Sequence, residues 1–193
     1  MNNNSKKVKW DKVTKNIITY VLIIVAAIVI KLFVFSPVKV NGTSMEPTLK
    51  DGDIMILNEI GYRLYGVDRF DIVVANIDDE KLIKRVIGLP GERLEYRDNT
   101  LYINDEPVVE NFKHSDTNDF SLSELNMDII PENHYFVVGD NRGNSLDSRF
   151  WGTLPKERFI GRAVFVFFPF NRIKVLDDQI GRAVQQECRD RHR

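Results

Sequence analysis

An unbroken apolar run dominates the hydrophobic pattern at the start of the chain. It covers residues 17–35 and contains one charged residue, Lys31. As a helix it would be about 28 Å long, close to the hydrocarbon thickness of a bilayer. Five lysines precede it with a single acid, namely Lys6, Lys7, Lys9, Lys12 and Lys15 with Asp11. By the positive-inside rule, this pattern predicts a cytoplasmic segment 1–16, a transmembrane signal-anchor helix 17–35 and an extracytoplasmic remainder.

Two other interpretations of the run are weaker. A cleavable signal peptide needs small residues at its end, and the sequence from Phe35 to Val38 has no A-x-A-like site. A buried core helix is disfavoured because so long an apolar stretch follows a basic leader.

Beyond Phe35 the pattern changes to short apolar runs, rich in β-branched and aromatic residues and broken by Gly, Pro, Asn and Asp. Such runs predict strands and hence a mainly β domain. Asn104-Asp105 has the composition of a tight hairpin turn. The predicted strands are Val38–Val40, Ile54–Leu57, Ile72–Ala75, Leu82–Ile87, Leu94–Tyr96, Leu101–Ile103, His134–Val138 and Arg162–Phe168.

A more polar stretch, residues 98–128, separates two parts of this β domain. We interpret it as a small inserted sub-domain, with residues 36–97 and 129–176 forming the larger β domain around it. The charged residues 177–193 are expected to form a polar tail.

Composition excludes several classes of function. The 193 residues carry a net charge of -1, so nothing indicates binding to nucleic acid. The single cysteine, Cys188, cannot form an internal disulfide. The histidines and the cysteine lack ligand spacing, so no metal or other cofactor is expected.

Ser44 is the most informative candidate for chemistry because it lies only nine positions beyond Phe35. Nine residues span roughly 30 Å at most, which confines its hydroxyl to the membrane surface. Its surroundings fit neither G-x-S-x-G, because Glu46 replaces the glycine, nor S-x-x-K, because Pro47 replaces the lysine.

The base that would activate this serine is more plausibly a lysine than a histidine. The histidines lie in the polar excursion (His114), at the start of a strand (His134) and in the tail (His192). A lysine base must be neutral, and lowering its pKa by about three units costs roughly 4 kcal/mol, so it must be buried. Lys84 is the best placed, since alternation puts it on one face with Leu82 and Val86. Alternation alone nevertheless favours the alternative that Lys84 and Arg85 are strand charges facing solvent.

The segment 139–152 concentrates acids, arginines and small hydroxyl residues after an apolar strand. Asp140 and Asp147 are expected to pair with Arg142 and Arg149, and Ser145 to hydrogen-bond a neutral lysine. The alternative is a polar turn rich in Asn and Gly.

Together these segments resemble the bacterial type I signal peptidases, membrane-anchored Ser-Lys proteases. The resemblance extends from the anchor to about Val175. Its motifs, in family order, are Ser44-Met45-x-Pro47-Thr48-Leu49, Gly52-Asp53, Lys84-Arg85-Val86-x-Gly88-x-Pro90-Gly91 and Gly139-Asp140-Asn141-Arg142-x-Asn144-Ser145-x-Asp147-Ser148-Arg149.

The resemblance implies a role for each matching residue. Ser44 corresponds to the nucleophile and Lys84 to the general base. The supporting residues are Ser145, which positions the lysine, and Asp147, Arg149 and Asp140. The positions for oxyanion and substrate binding are Gly42, Thr43, Met45, Leu82 and Ile83.

The resemblance also implies partners and a fold. Secretory preproteins would be cut at small-x-small sites beside the lipid bilayer, and a β-rich domain would carry a short sub-domain, as in Gram-positive enzymes. One departure is Gly42, which stands where some members have an oxyanion-binding serine. Two alternatives stay open: a membrane-tethered β domain without chemistry, and a relative that trims one dedicated partner.

Overall fold

The computed structural model describes residues 15–25, 35–77 and 80–176. Residues 15–25 are helical with exposed side chains, and they belong to a unit separate from the domain that begins at Pro37. Within the described residues, no helix is long and apolar enough to cross a membrane. Most of the predicted cytoplasmic segment, residues 26–34 of the predicted anchor, and the tail with Cys188 and His192 lie outside the described residues.

The domain is built on an eight-stranded sheet in which the described pairings are antiparallel. Its order is β1-β2-β11-β3-β4-β9-β10, and β12 pairs with β11. The strands are β1 (Phe35–Lys39), β2 (Ile54–Asn58), β3 (Ile72–Ile77), β4 (Glu80–Gly88), β9 (His134–Val138), β10 (Leu154–Pro155), β11 (Phe159–Phe168) and β12 (Lys174–Val175).

A second, four-stranded sheet has the order β7-β6-β5-β8. Its strands are β5 (Leu94–Arg97), β6 (Thr100–Ile103), β7 (Glu106–Val108) and β8 (Phe120–Ser121). The β6–β7 turn confirms the predicted hairpin: Asn104 and Asp105 have φ angles of 51° and 68°, the positive values that a type I′ turn requires.

The second sheet overlaps the stretch 98–128 that the sequence predicts as a sub-domain, but its first strand begins at Leu94. It has no separate core. One apolar cluster joins its strands to β4 and β9 of the main sheet, and its fully buried members are Ile87, Leu94, Tyr96, Leu101, Leu122, Ile130, Phe136 and Val138. Because the cluster is shared, the position of the sub-domain is tied to the strands on which it packs.

Each predicted strand overlaps an observed one, so the mainly β prediction is confirmed. Short elements were not predicted: β8, β10, β12 and the helices Glu59–Tyr65 and Ser148–Trp151. Elements of two to seven residues show too little periodicity to identify them. The helix Glu59–Tyr65 is instead defined by caps, because Asn58 accepts from the Gly61 N–H and Gly66 ends it at φ 79°.

Candidate active site

Ser44 lies in the turn that connects β1 to β2. The apolar side chains of Met45 and Leu49 anchor this turn, since they are 1% and 0% exposed. The Asn141 N–H donates to the Ser44 carbonyl over 3.0 Å, which joins the turn to the loop after β9. The Ser44 backbone N–H has no acceptor among the described residues. Core packing of its neighbours and the bond from Asn141 therefore fix the position of Ser44, while its backbone N–H stays available as a donor.

Lys84 lies on β4, and its Nζ donates to Ser44 Oγ over 2.8 Å. Only 5% of the residue is exposed, so the alternative of a solvent-facing charge is wrong. Burial lowers the pKa of Lys84 from its ordinary value of 10.5; of its charged neighbours, Asp147 and Asp140 raise it and Arg149 lowers it. Within the described residues, no carboxylate forms an ion pair with Nζ. The amine is thus buried beside a neutral hydroxyl.

Arg85, the next residue, is 4% exposed and is fully paired. Its guanidinium donates to Asp140 through Nε at 2.8 Å and Nη2 at 2.6 Å, and to the Phe70 carbonyl at 2.8 Å. It also stacks on the Phe112 ring at 3.9 Å. Asp140 therefore pairs with Arg85, and the expected pairing with Arg142 is wrong. The bidentate geometry is available because both groups are planar and buried.

Asp147 and Arg149 do pair, with Nε and Nη2 of the arginine at 2.8 and 2.9 Å from the carboxylate. The same carboxylate accepts from the Gly139 N–H at 3.0 Å. Arg149 also donates to the Arg142 carbonyl at 2.8 Å. These bonds close the loop 139–149 on itself and fix it against the end of β9.

Ser145 lies close to this pair, but its predicted hydrogen bond to Lys84 is not formed. Its Oγ is buried without a hydrogen-bond partner among the described residues. A Cβ placed on Gly139 would lie 2.3 Å from that oxygen and 2.5 Å from the Ser44 carbonyl. Glycine at position 139 thus allows the two segments to approach, a requirement that the sequence analysis did not identify.

The expected oxyanion and substrate positions fall into two groups. Gly42 and Thr43 are exposed beside Ser44: Gly42 has φ 89° and donates to Asp51 at 2.7 Å, and Thr43 Oγ1 accepts from Asn144 at 2.9 Å. The second group consists of Leu82, which is half-buried, and of Met45 and Ile83, which are buried in the apolar core.

Glu110 was not predicted from the sequence; its side chain is 5% exposed and lies 2.7 Å from Arg142. The two residues are 32 positions apart, Glu110 after β7 and Arg142 after β9, so no local pattern connects them. The described histidines have partners away from Ser44 and Lys84, which we call the dyad. His114 faces Glu110 at 3.5 Å, and His134 Nδ1 contacts the Glu132 carbonyl at 3.0 Å. In the described ranges, no three His, Cys, Asp or Glu side chains are grouped to hold a metal.

A family model described as "Signal peptidase, peptidase S26" matches residues 13–168. The chain belongs to this family. It is 37% identical over 180 residues to signal peptidase IB of Staphylococcus aureus (strain COL), covering 83% of this chain and 94% of that one. It is 43% identical over 152 residues to signal peptidase I V of Bacillus subtilis (strain 168), covering 73% and 90% respectively.

Among solved structures, a signal peptidase I from Enterococcus faecalis V583 is 38% identical, with a TM-score of 0.46, covering 50% of this chain and 95% of that one. The family match and the two relatives confirm the resemblance inferred from the four motifs. As a member of this family, the chain is a serine endopeptidase that acts on signal peptides.

Proposed function

We propose that this protein removes signal peptides from secretory preproteins at small-x-small sites on the outer face of the cytoplasmic membrane, with Ser44 as nucleophile and Lys84 as general base. The observation that carries the proposal is the 2.8 Å contact between Lys84 Nζ and Ser44 Oγ. This distance suits proton transfer, and burial favours the neutral amine that a base must be.

The reaction begins with the neutral amine of Lys84. It accepts the hydroxyl proton of Ser44 as Oγ attacks the carbonyl carbon of the scissile bond. The resulting ammonium then protonates the leaving amine, which departs as the mature N-terminus and leaves an acyl-enzyme on Ser44. Lys84 next takes a proton from water, whose oxygen attacks the ester. The ammonium returns that proton to Ser44 Oγ as the signal peptide leaves with a free carboxylate.

The oxyanion of each tetrahedral intermediate needs a donor aimed at it. The free N–H of Ser44 is the donor that we assign, since it has no acceptor among the described residues. Gly42 has no side chain to supply a second one, and its own N–H is engaged by Asp51.

The edge of β4 supports strand addition as the mode of substrate binding. On one side, Glu80 to Arg85 pair with β3. On the other side, pairing with β9 starts only at Arg85, so residues 80–84 have no described partner there. An extended substrate segment fits this free edge through main-chain hydrogen bonds, with Ile83 and Leu82 beside it. The bond to be cut would then lie next to Lys84 and Ser44.

Contact with the bilayer is part of the proposal. The apolar run 17–35 with its preceding lysines fits a signal anchor, which would place the domain outside the cytoplasm. The domain also exposes large apolar side chains near its C-terminal end, with Phe168, Phe170 and Ile173 at 42%, 76% and 54% exposure. Exposed apolar groups of this size are typical of surfaces that contact lipid or protein.

The test is cleavage of a purified preprotein by the full chain in detergent micelles, with products identified by mass spectrometry. We expect the parent to cut after a small-x-small sequence, and Ser44→Ala and Lys84→Ala to leave the preprotein intact. Lys113→Ala and Ser123→Ala are matched controls, because both residues are exposed and we expect their variants to cut like the parent. Cleavage by Ser44→Ala at the parental rate would refute the proposal. A panel of unrelated signal sequences should also be tested. Cleavage of only one of them would indicate an enzyme that trims one dedicated partner.

A further inference from the structure

Three arginines and three carboxylates pair one to one around the dyad. Two of the carboxylates, Asp140 and Asp147, belong to the loop after β9 and pair with Arg85 and Arg149. The third, Glu110, comes from the second sheet's side and pairs with Arg142. Every described carboxylate of this group therefore has an arginine partner, and none of them forms an ion pair with Lys84.

Arg142 differs from the other two arginines because all its side-chain partners come from residues 96–117. Nη1 donates to Tyr96 Oη at 3.0 Å and to Thr117 Oγ1 at 2.6 Å, and Nη2 donates to Glu110 at 2.7 Å. The same Glu110 oxygen accepts from Tyr96 Oη at 3.1 Å, and the other faces His114 at 3.5 Å. Glu110 is thus the anion around which the contacts of Arg142 are organised.

Arg142 is also continuous with the loop beside the dyad. Its carbonyl accepts from Arg149, which pairs with Asp147, and Asp147 in turn accepts from the Gly139 N–H. Gly139 lies against the Ser44 carbonyl, and the Asn141 N–H bonds that same carbonyl. A displacement of Arg142 would therefore be transmitted through contacts of 2.8–3.0 Å to both sides of the dyad.

We propose that Glu110 is a positioning residue for the peptidase reaction: by holding Arg142, it fixes the loop 139–149 against Ser44 and Lys84. The proposal rests on the proposed function. It assigns the second sheet a role in catalysis although none of its residues contacts the dyad among the described ones. Glu110 touches no reacting atom, so its effect passes through Arg142.

Removing the charge of Glu110 leaves the Arg142 guanidinium buried with only neutral partners. The loop is then free to rearrange so that the cation finds water or another anion. Misplacement of catalytic groups by about 1 Å can cost about 100-fold in rate. The free edge at residues 80–84, where the substrate is proposed to bind, is built from other contacts. Loss of Glu110 should therefore lower kcat and leave KM nearly unchanged.

The experiment measures kcat and KM of the full chain on a preprotein in detergent micelles. We expect Glu110→Gln to lower kcat by about tenfold or more with KM within about twofold, since it removes an interaction that acts on the reaction step. Glu110→Asp, which keeps the charge on a shorter stem, should recover part of the loss. Glu106→Gln is the matched control, because Glu106 is exposed on β7 of the same sheet; it should match the parent.

A second measurement separates positioning from general damage to the fold. Arg142→Gln should lower kcat as Glu110→Gln does, and the double variant should lose less than about twofold more than Arg142→Gln alone. Thermal unfolding of each variant identifies a working temperature at which all are folded. Parental kcat in Glu110→Gln, an additive double variant, or a loss confined to KM would each overturn the proposal.

Ser44→Ala is run in parallel to keep the two conclusions apart. If the parent does not cut, or Ser44→Ala cuts as the parent does, the proposed function fails. If the parent cuts, Ser44→Ala does not and Glu110→Gln equals the parent, only the positioning role fails. Should Glu110→Gln not fold at any usable temperature, Glu110→Asp and Arg142→Gln decide: kcat at the parental value in both would overturn it.

Discussion

The two faces of β4 each bury a basic side chain but give it different partners. Lys84 and Arg85 are consecutive, are 5% and 4% exposed, and point to opposite sides of the strand. Lys84 meets the Ser44 hydroxyl on one side. Arg85 meets a carboxylate, a carbonyl and an aromatic ring on the other. Lys84 and Arg85 are therefore almost equally buried, but only Arg85 has an anionic partner.

On the Arg85 side, bidentate bonds to Asp140 offset the desolvation of both charges. On the Lys84 side nothing of this kind offsets it, and burial lowers the pKa of the amine. On the proposed mechanism, the Arg85 side stabilises the domain and the Lys84 side supplies the base. Substitutions at these sites can separate the two purposes.

The largest expected effect is on activity, at Lys84. Lys84→Met keeps the apolar stem and removes the base, so we expect kcat/KM for a preprotein to fall by about 10⁴-fold or more. The same variant should unfold at higher denaturant concentration, because an amine that is costly to bury is gone. Lys84→Arg should be equally inactive, since a guanidinium does not deprotonate at ordinary pH.

Preprotein cleavage and urea unfolding of the same samples check both expectations. Lys113→Met, at an exposed lysine away from β4, is the control and should leave both quantities at parental values. A Lys84→Met variant that is inactive and also markedly less stable would contradict the comparison, because Lys84 would then be a structural residue.

The second effect is on stability, at Arg85. Arg85→Met leaves Asp140 buried without its cation, and we expect a loss of about 3–5 kcal/mol in the free energy of unfolding. Asp140→Leu should cost a similar amount. The double variant should be more stable than either single one, since neither charge then stays unpaired. Urea unfolding measures all three, and a double variant less stable than both singles would show that the pair is not the reason for the loss.

The contrast between these faces was only half predictable from the sequence. Alternation in Leu82–Ile87 places Lys84 and Arg85 on opposite faces, and β-branched neighbours predict the strand. Burial of both faces depends on the Ser44 turn, on β9 and on the second sheet, which come from distant parts of the chain. For that reason alternation favoured a solvent-facing lysine, which is wrong.

Residue motifs identified the candidate site residues that periodicity could not. They did not predict side-chain pairings between residues distant in the sequence. Ser44 and Lys84 were named from the sequence, although 40 positions separate them. The predicted pairing of Asp140 was wrong because its partner, Arg85, lies 55 positions away in the sequence, while Arg142 is only two positions away. Glu110 carries no motif at all; only the shared core between the sheets brings it to Arg142.

The third effect is a pH dependence of stability that should be confined to the Lys84 side. Because the folded pKa of Lys84 is lowered, the unfolded chain binds more protons between the folded pKa and the unfolded value of about 10.4. The destabilisation by Lys84 is therefore full below the folded pKa and disappears as the pH rises through the unfolded one. The stability gained by Lys84→Met should accordingly shrink as the pH approaches 10.4.

Unfolding of the parent and of Lys84→Met across neutral to alkaline pH tests this dependence. The parental rate profile should agree with it, since kcat/KM on the ascending limb reports the base of the free enzyme and should rise at a pH below 10.5. A gain that is constant with pH, or a limb that appears only above pH 10, would mean that Lys84 is protonated like a solvated lysine.

The smallest expected effect distinguishes stability from function at one oxygen. Among the described residues, Ser145 Oγ is buried beside the dyad without a partner, and an unsatisfied buried hydroxyl costs about 1 kcal/mol or more. Ser145→Ala should therefore raise the free energy of unfolding by about 1 kcal/mol. If this hydroxyl forms a hydrogen bond to Lys84 only during the reaction, kcat should fall by about tenfold in the same variant.

A variant that gains stability but loses activity would group Ser145 with Lys84. Both would then be residues that destabilise the fold and are needed for the reaction. Arg85→Met, by contrast, should lower both. Urea unfolding and preprotein cleavage of Ser145→Ala decide between these patterns. A variant that loses stability and activity together would move Ser145 to the structural side, and the unpartnered oxygen would then need a bound water to account for its burial.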